Sequence, residues 1–263
     1  MKLEILCVTM HQKDFSLIQQ MNIQSDVVFA NQADRTCLEE LKFDGHYARM
    51  ITTDTRGVGI NRNLTLMYAK GDICLFADDD VVYDDNYQET VINFFRKHPN
   101  VGVAVFNLQS MNPSRPEYII KHNHRVRMHN CLRYGAFRIA VRRECLVHNN
   151  IWFSRLFGGG AVYRAGEDNL FITDCIKKGI CCMACRESIG TVKQEVSTWF
   201  VGYDQKYYSD RGALFAAMYG KMAYIMLFLF EIRGKKESLR LIERLSCGYR
   251  GIHQYRQTAK CEK

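Results

Sequence analysis

The chain has 263 residues, 47% apolar and 24% charged, an ordinary globular composition that allows one large α/β domain or two lobes sharing a sheet. Eleven cysteines behind a start, Met1-Lys2-Leu3-Glu4, without an apolar export segment point to reduced thiols in a cytosolic setting and argue against a disulfide framework. The net charge of +8 is gathered at one end, Arg233 to Lys263 carrying nine Lys/Arg against three Glu, so a basic face for nucleic acid is not expected, whereas a basic tail is, either facing anionic lipid headgroups or simply a solvated end.

In chain order, residues 3–9 read as a first strand, and Phe15, Leu17, Ile18 and Met21 as a short helical face. Residues 26–30 form a second strand running into polar Asn31 to Asp34, and residues 50–53 a third. A helix is expected over residues 60–69, ended by Lys70-Gly71. Residues 73–77 are an unbroken apolar run that meets Asp78-Asp79-Asp80, which reads as a strand buried on both faces. The next helix starts at Asp84-Asp85, with Asp85 and Gln88 as a capping-box-like pair, and stops before Pro99. Residues 101–106 make a further strand. This alternation predicts an α/β fold with a mainly parallel, doubly wound sheet. Ligands bind outside the carboxyl ends of such strands, where Asn31 to Asp34 and Asp78 to Asp80 would both lie. Neither a G-x-G-x-x-G nor a G-x-x-x-x-G-K-[ST] fingerprint is present, which disfavours a dinucleotide dehydrogenase or P-loop NTPase.

Three carboxylates at a strand end repel one another and require a positive partner. Residues i and i+2 of an extended segment share a side, so Asp78 and Asp80 can reach one ligand together. Their hard oxygens suit Mg²⁺ or Mn²⁺, with substrate phosphates and water completing the shell. The plainer alternative, a charged turn capping the next helix, is better served by Asp84 and Asp85.

The second half is less regular. Residues 107–133 are polar, and His122, His124 and His129 there read as solvated or phosphate-facing rather than as metal ligands. Residues 134–143 alternate like a half-exposed strand. The Gly158-Gly159-Gly160 segment must be flexible or tightly turned. A helix opens at Gly166-Glu167-Asp168, buries Leu170, Phe171, Cys175 and Ile176, and closes at Lys177-Lys178-Gly179. Cys175, Cys181, Cys182 and Cys185 lack two separated C-x-x-C knuckles and read as small core hydrophobes rather than a zinc site. Glu167 and Asp168 fit two roles: acids favoured by the helix dipole, or a carboxylate beside a mobile loop that takes a proton from a hydroxyl.

Together these segments resemble the family 2 glycosyltransferases of the nucleotide-diphospho-sugar (GT-A) fold, over roughly residues 3–212. The matching pieces are Thr9-Met10-His11, Asp34, Gly59-Ile60-Asn61-Arg62-Asn63-Leu64, Asp78-Asp79-Asp80 and Gly166-Glu167-Asp168. The resemblance implies an inverting transferase moving sugar from a nucleotide-diphosphate donor, a UDP-sugar, to a glycan or lipid-linked hydroxyl in cell-surface polysaccharide synthesis. Implied site residues are Asp80 and Asp78 on Mn²⁺ or Mg²⁺, Asp168 as general base beside Glu167, and Thr9, Asp34, Arg62, Asp78, Asp79, Gly159, Gly160 and Trp199 on substrate. Two departures stand out: Thr-Met-His-Gln replaces the usual Pro-Thr-Tyr-Asn after the first strand, and Gln194 stands where many relatives carry a metal-facing His. A sugar-phosphate nucleotidyltransferase should carry a Gly-rich basic loop after Thr9, which is lacking, and a non-catalytic binding module need not keep both Asp80 and Asp168.

The implied organisation is a nucleotide-sugar-binding half over residues 1–106, an acceptor-binding half over 107–212, and a helical basic segment over 213–263. Residues 213–232 are largely apolar, but Lys221 interrupts any window long enough to span a bilayer. Either packing on the domain or contact with the inner face of the cell membrane, as a peripheral cytoplasmic protein, is open to this segment.

Overall fold

A computed structural model describes residues 1–194, 202–233 and 239–261. The elements are β1 (Leu3–Met10), α1 (Leu17–Gln20), β2 (Asp26–Gln32), β3 (Cys37–Phe43), β4 (His46–Thr53), α2 (Val58–Tyr68), β5 (Ile73–Asp78), β6 (Val81–Tyr83), α3 (Tyr87–Lys97) and β7 (Val103–Ser110). There follow β8 (His124–Arg125), β9 (Ile139–Arg142), α4 (Arg143–Asn149), α5 (Glu167–Lys177), β10 (Cys182–Val192), α6 (Gln205–Tyr219), α7 (Ala223–Arg233) and α8 (Leu241–Cys261). One ten-stranded sheet runs β3-β4-β2-β1-β5-β9-β7-β10-β6, with β8 beside β10. The β4-β2-β1-β5 block and the β7-β10 pair are parallel, and antiparallel β9 joins them.

The apolar runs seen in the sequence are strands covered on both faces. Alternate residues split between two cores: Ile5, Val27, Phe29 and Leu75 on one side, Leu6, Val28, Cys74 and Phe76 on the other, as a two-residue period requires. Helix α3 closes the first core with Tyr87, Val91, Phe94 and Phe95. Helix α5 closes the second with Leu170, Phe171 and Cys175. Glu4 lies fully buried at the amino end of β1, where it pairs with Arg49 at 2.5 Å and accepts the Lys70 and Gly71 N–H groups.

Several local expectations change. Helix α2 ends at extended Ala69, not through a glycine cap; a Cβ on Gly71 would lie 2.7 Å from that of Glu4, so this glycine serves a close approach. The cap of α3 is Asn86 without a side-chain bond, and Asp85 instead accepts from Asn22 and Gln24. The third strand is longer, pairing through Asp44-Gly45 with the unforeseen β3; both turn residues have positive φ, the signature of a tight hairpin. Over residues 134–143 only β9 is extended, because the buried guanidinium of Arg138 turns inward to the carbonyls of Tyr118 and Arg133 and holds a 3₁₀ turn over Ala136–Arg138. The cysteine-rich stretch is β10, with Cys182 and Cys185 in opposite cores. The boundaries drawn at 106/107 and 212/213 fall inside β7 and α6.

Candidate active site

The pairing registers set Val8 beside Asp78 and Thr9 beside Asn31, so the carboxyl ends of β1, β2 and β5 finish level with one another. A cavity of about 730 Å³ opens there. Its wall combines Thr9, Gln32 and the Asp78-Asp79-Asp80 turn with Gly159, Glu167 and Asp168 from the second half of the chain.

Arg62 ties the two halves together. It projects from α2, is 4% exposed, and lies with its guanidinium over the Phe153 ring at 5.4 Å. One nitrogen donates to Asp78 Oδ1 at 2.9 Å and another to Glu167 Oε1 at 2.7 Å. Burial works against its charge, but Asp78, Glu167 and Asp168 together hold its pKa above the ordinary arginine value.

Among the described residues, the other acids of the turn have no such ion pair. Asp79 Oδ2 accepts from the Thr9 hydroxyl at 2.5 Å, and burial raises its pKa. Asp80 Oδ2 accepts the Gln194 N–H at 3.2 Å; burial first, then the Asp78 charge, push its carboxyl up to about 6. Among the described residues no three His, Cys, Asp or Glu side chains converge as a metal cage, at the cysteines, the histidines or here. The donor set still fits a hard divalent ion completed by phosphate and water: each of Asp78 and Asp80 has one carboxylate oxygen outside these bonds, and among the described residues Asp80 forms no ion pair. Gln194 contributes only its backbone. Its side chain turns to Glu117 Oε1 at 2.6 Å and to the Ser110 hydroxyl.

The glycine segment is tightly turned. Gly158 donates to the Tyr163 carbonyl, and Val58, opening α2, donates to the Gly159 carbonyl. A side chain on Gly158 (φ +104°) would strike Val58 at 2.6 Å and the Glu167 carboxylate at 2.8 Å. The segment thus seats the acids that open α5. Asp168, next along, faces the cavity and forms no ion pair among the described residues; burial, then the neighbouring Glu167 charge, raise its pKa against the opposing pull of Arg62.

Of the residues the sequence singled out, Thr9, Arg62, Asp78, Asp79, Asp80, Gly159, Glu167 and Asp168 line this cavity. Asp34 lies beyond the end of β2 and pairs with exposed Arg56 at 2.6 Å, and Gly160 packs against Gly57, neither on the lining. Trp199 lies outside the described residues. The structure adds Gln32, Asn61, Arg115 and Arg164 to the wall. Asn61 is 1% exposed, and among the described residues neither its amide nitrogen nor its side-chain oxygen has a partner, so a ligand or an ordered water would complete it. Only its position before Arg62 on the cavity side of α2 could have drawn attention to it.

Comparison with solved structures agrees with the fold. Residues 1–349 of TarS from S. aureus superpose with a TM-score of 0.57 at 13% identity, over 98% of this chain and 73% of that one. The same fragment in complex with UDP-GlcNAc gives 0.58 at 14%, over 93% and 69%, and in complex with UDP 0.58 at 14%, over 98% and 72%. A search of curated proteins finds no match. The model of glycosyl transferase family 2 matches residues 16–157, more than half of the chain and the part that carries Arg62 and the three consecutive aspartates, and the chain belongs to that family.

Proposed function

We propose that the protein is an inverting glycosyltransferase that moves a sugar from a UDP-sugar, with a divalent ion, to a hydroxyl of a glycan or lipid-linked acceptor in cell-surface polysaccharide synthesis. One observation carries this reading: a cavity of nucleotide-sugar size has Asp78 and Asp80 on one wall and Asp168 on another. The TarS complexes with UDP-GlcNAc and UDP support a uridine donor.

Asp78 and Asp80 would hold Mn²⁺ or Mg²⁺ together with the donor diphosphate. When bound, the ion neutralises the charge that develops on the leaving diphosphate. Gln32 and Asn61 offer amides, and Thr9 a hydroxyl, to the polar edge of the donor; Arg115 and Arg164 add positive charge to the wall. Glu167 is engaged by Arg62, which leaves Asp168 to accept the proton of the acceptor hydroxyl. The acceptor oxygen attacks the anomeric carbon on the face opposite the diphosphate, so the configuration inverts in one displacement. The reaction is placed in the cytoplasm, in keeping with ten described cysteines that are all free thiols.

A panel of nucleotide-sugars, read by Mn²⁺-dependent thermal stabilisation, tests the donor assignment, because a bound donor stabilises by mass action. UDP-sugars are expected to raise the Tm and other nucleotides not. Stabilisation without any transfer or donor turnover would instead indicate a binding protein of the same fold.

A further inference from the structure

Helix α7 is amphipathic in the reverse sense. Its buried positions are Ala223, Leu227 and the carboxylate Glu231, which pairs with Arg211 at 2.8 Å and Arg244 at 3.4 Å. Its outward positions include Ile225, Phe228, Leu229 and Ile232, between 36% and 54% exposed, with Met222 just before the helix. Spaced three and four apart, these side chains form one face that has no polar atom to satisfy. We propose that this face lies in the interfacial layer of an anionic phospholipid bilayer.

Length decides between lying on a bilayer and crossing it. The stretch Gln205–Arg233 is long and apolar enough to cross by composition. However, Gly220, at φ +54°, breaks it, and α6 buries Ala213, Phe215 and Met218 against the rest of the protein. The eleven residues of α7 cover only about 16 Å at 1.5 Å each, half of a hydrocarbon core. Charge decides the kind of surface. Exposed Lys221 and Arg233 stand at the two ends of the face. A second cavity, of about 530 Å³, adjoins α7 at Met226 and is lined by Arg125, Arg127 and His129. Both arginines are exposed, and neither guanidinium forms an ion pair among the described residues, so both can reach phosphate headgroups. The same charges oppose a second copy of the chain: two-fold packing of α7 on itself sets Lys221 against Arg233 or against another Lys221.

Co-sedimentation of the full chain with phosphatidylcholine vesicles, with and without phosphatidylglycerol, tests this. Wild-type protein should pellet with the phosphatidylglycerol vesicles and be released by salt. A triple variant, Ile225→Ser, Phe228→Ser and Leu229→Ser, with an unchanged Tm, should lose about tenfold or more of that binding. Equal binding by the variant, or no wild-type binding, would overturn the proposal. So would a wild-type dimer, formed without vesicles and abolished in the variant, since the face would then meet another copy. None of these outcomes touches the catalytic reading, because no α7 residue lines the donor cavity.

Discussion

At Arg62 a single buried guanidinium serves two carboxylates that lie 89 residues apart in sequence, Asp78 and Glu167. Removing one partner of a buried pair leaves a charge without compensation, so Glu167→Gln is expected to destabilise the protein by about 3 kcal/mol in urea unfolding. Asp168 should respond oppositely. Its folded-state pKa is raised, so the folded protein holds that proton more tightly, and stability declines as pH rises from the unfolded carboxylate value through the folded one. Asp168→Asn should therefore match or exceed the wild-type Tm at pH 8 while losing about a thousandfold in transfer and keeping donor binding. Retained transfer by purified Asp168→Asn would contradict the base assignment. A base acts when ionised, so wild-type transfer should fall with decreasing pH along a limb displaced above the ordinary carboxylate range near about 4, as a kcat profile would show.

At the scale of elements, the glycine segment over residues 157–163 is held between the start of α2 and the acids of α5. Gly158→Ala adds a Cβ to a left-handed backbone position and drives it toward Glu167. A loss of about 1–3 kcal/mol is expected, with kcat falling more than KM rises, because the added Cβ presses on Glu167 beside the base while the Asp78-Asp79-Asp80 turn stays in place. Unchanged kcat in a folded variant would show that this segment does not seat the base. The acids were legible in the sequence because each sits in a local pattern: an apolar run that ends in carboxylates, and a helix that opens on them. The Arg62–Glu167 bond was not, since nothing local marks a contact across 105 residues. The alternation over residues 134–143 misled because its inward side chain, Arg138, is charged and turns to the Tyr118 and Arg133 carbonyls and to Glu117. The β3–β4 hairpin was announced by Asp44-Gly45, a turn signal that the apolar pattern of its flanks did not support.

Across the whole molecule, the parallel block was legible from the alternation of apolar runs and helices, whereas the antiparallel pairing of β9 and the long β10 were not, because long-range pairing leaves little trace in composition. The same wholeness bears on the charge balance of the site. Arg62 satisfies Asp78, but among the described residues no cation pairs with Asp80, whose carboxyl burial and the Asp78 charge push up to about 6, so a bound cation would complete the charge balance there. The direct measurement is calorimetric titration of UDP into wild-type protein and Asp80→Ala, with and without Mn²⁺. The account predicts Mn²⁺-dependent binding to the wild type, weakened at least about tenfold in the variant. Tight UDP binding that ignores both the ion and the substitution would contradict it.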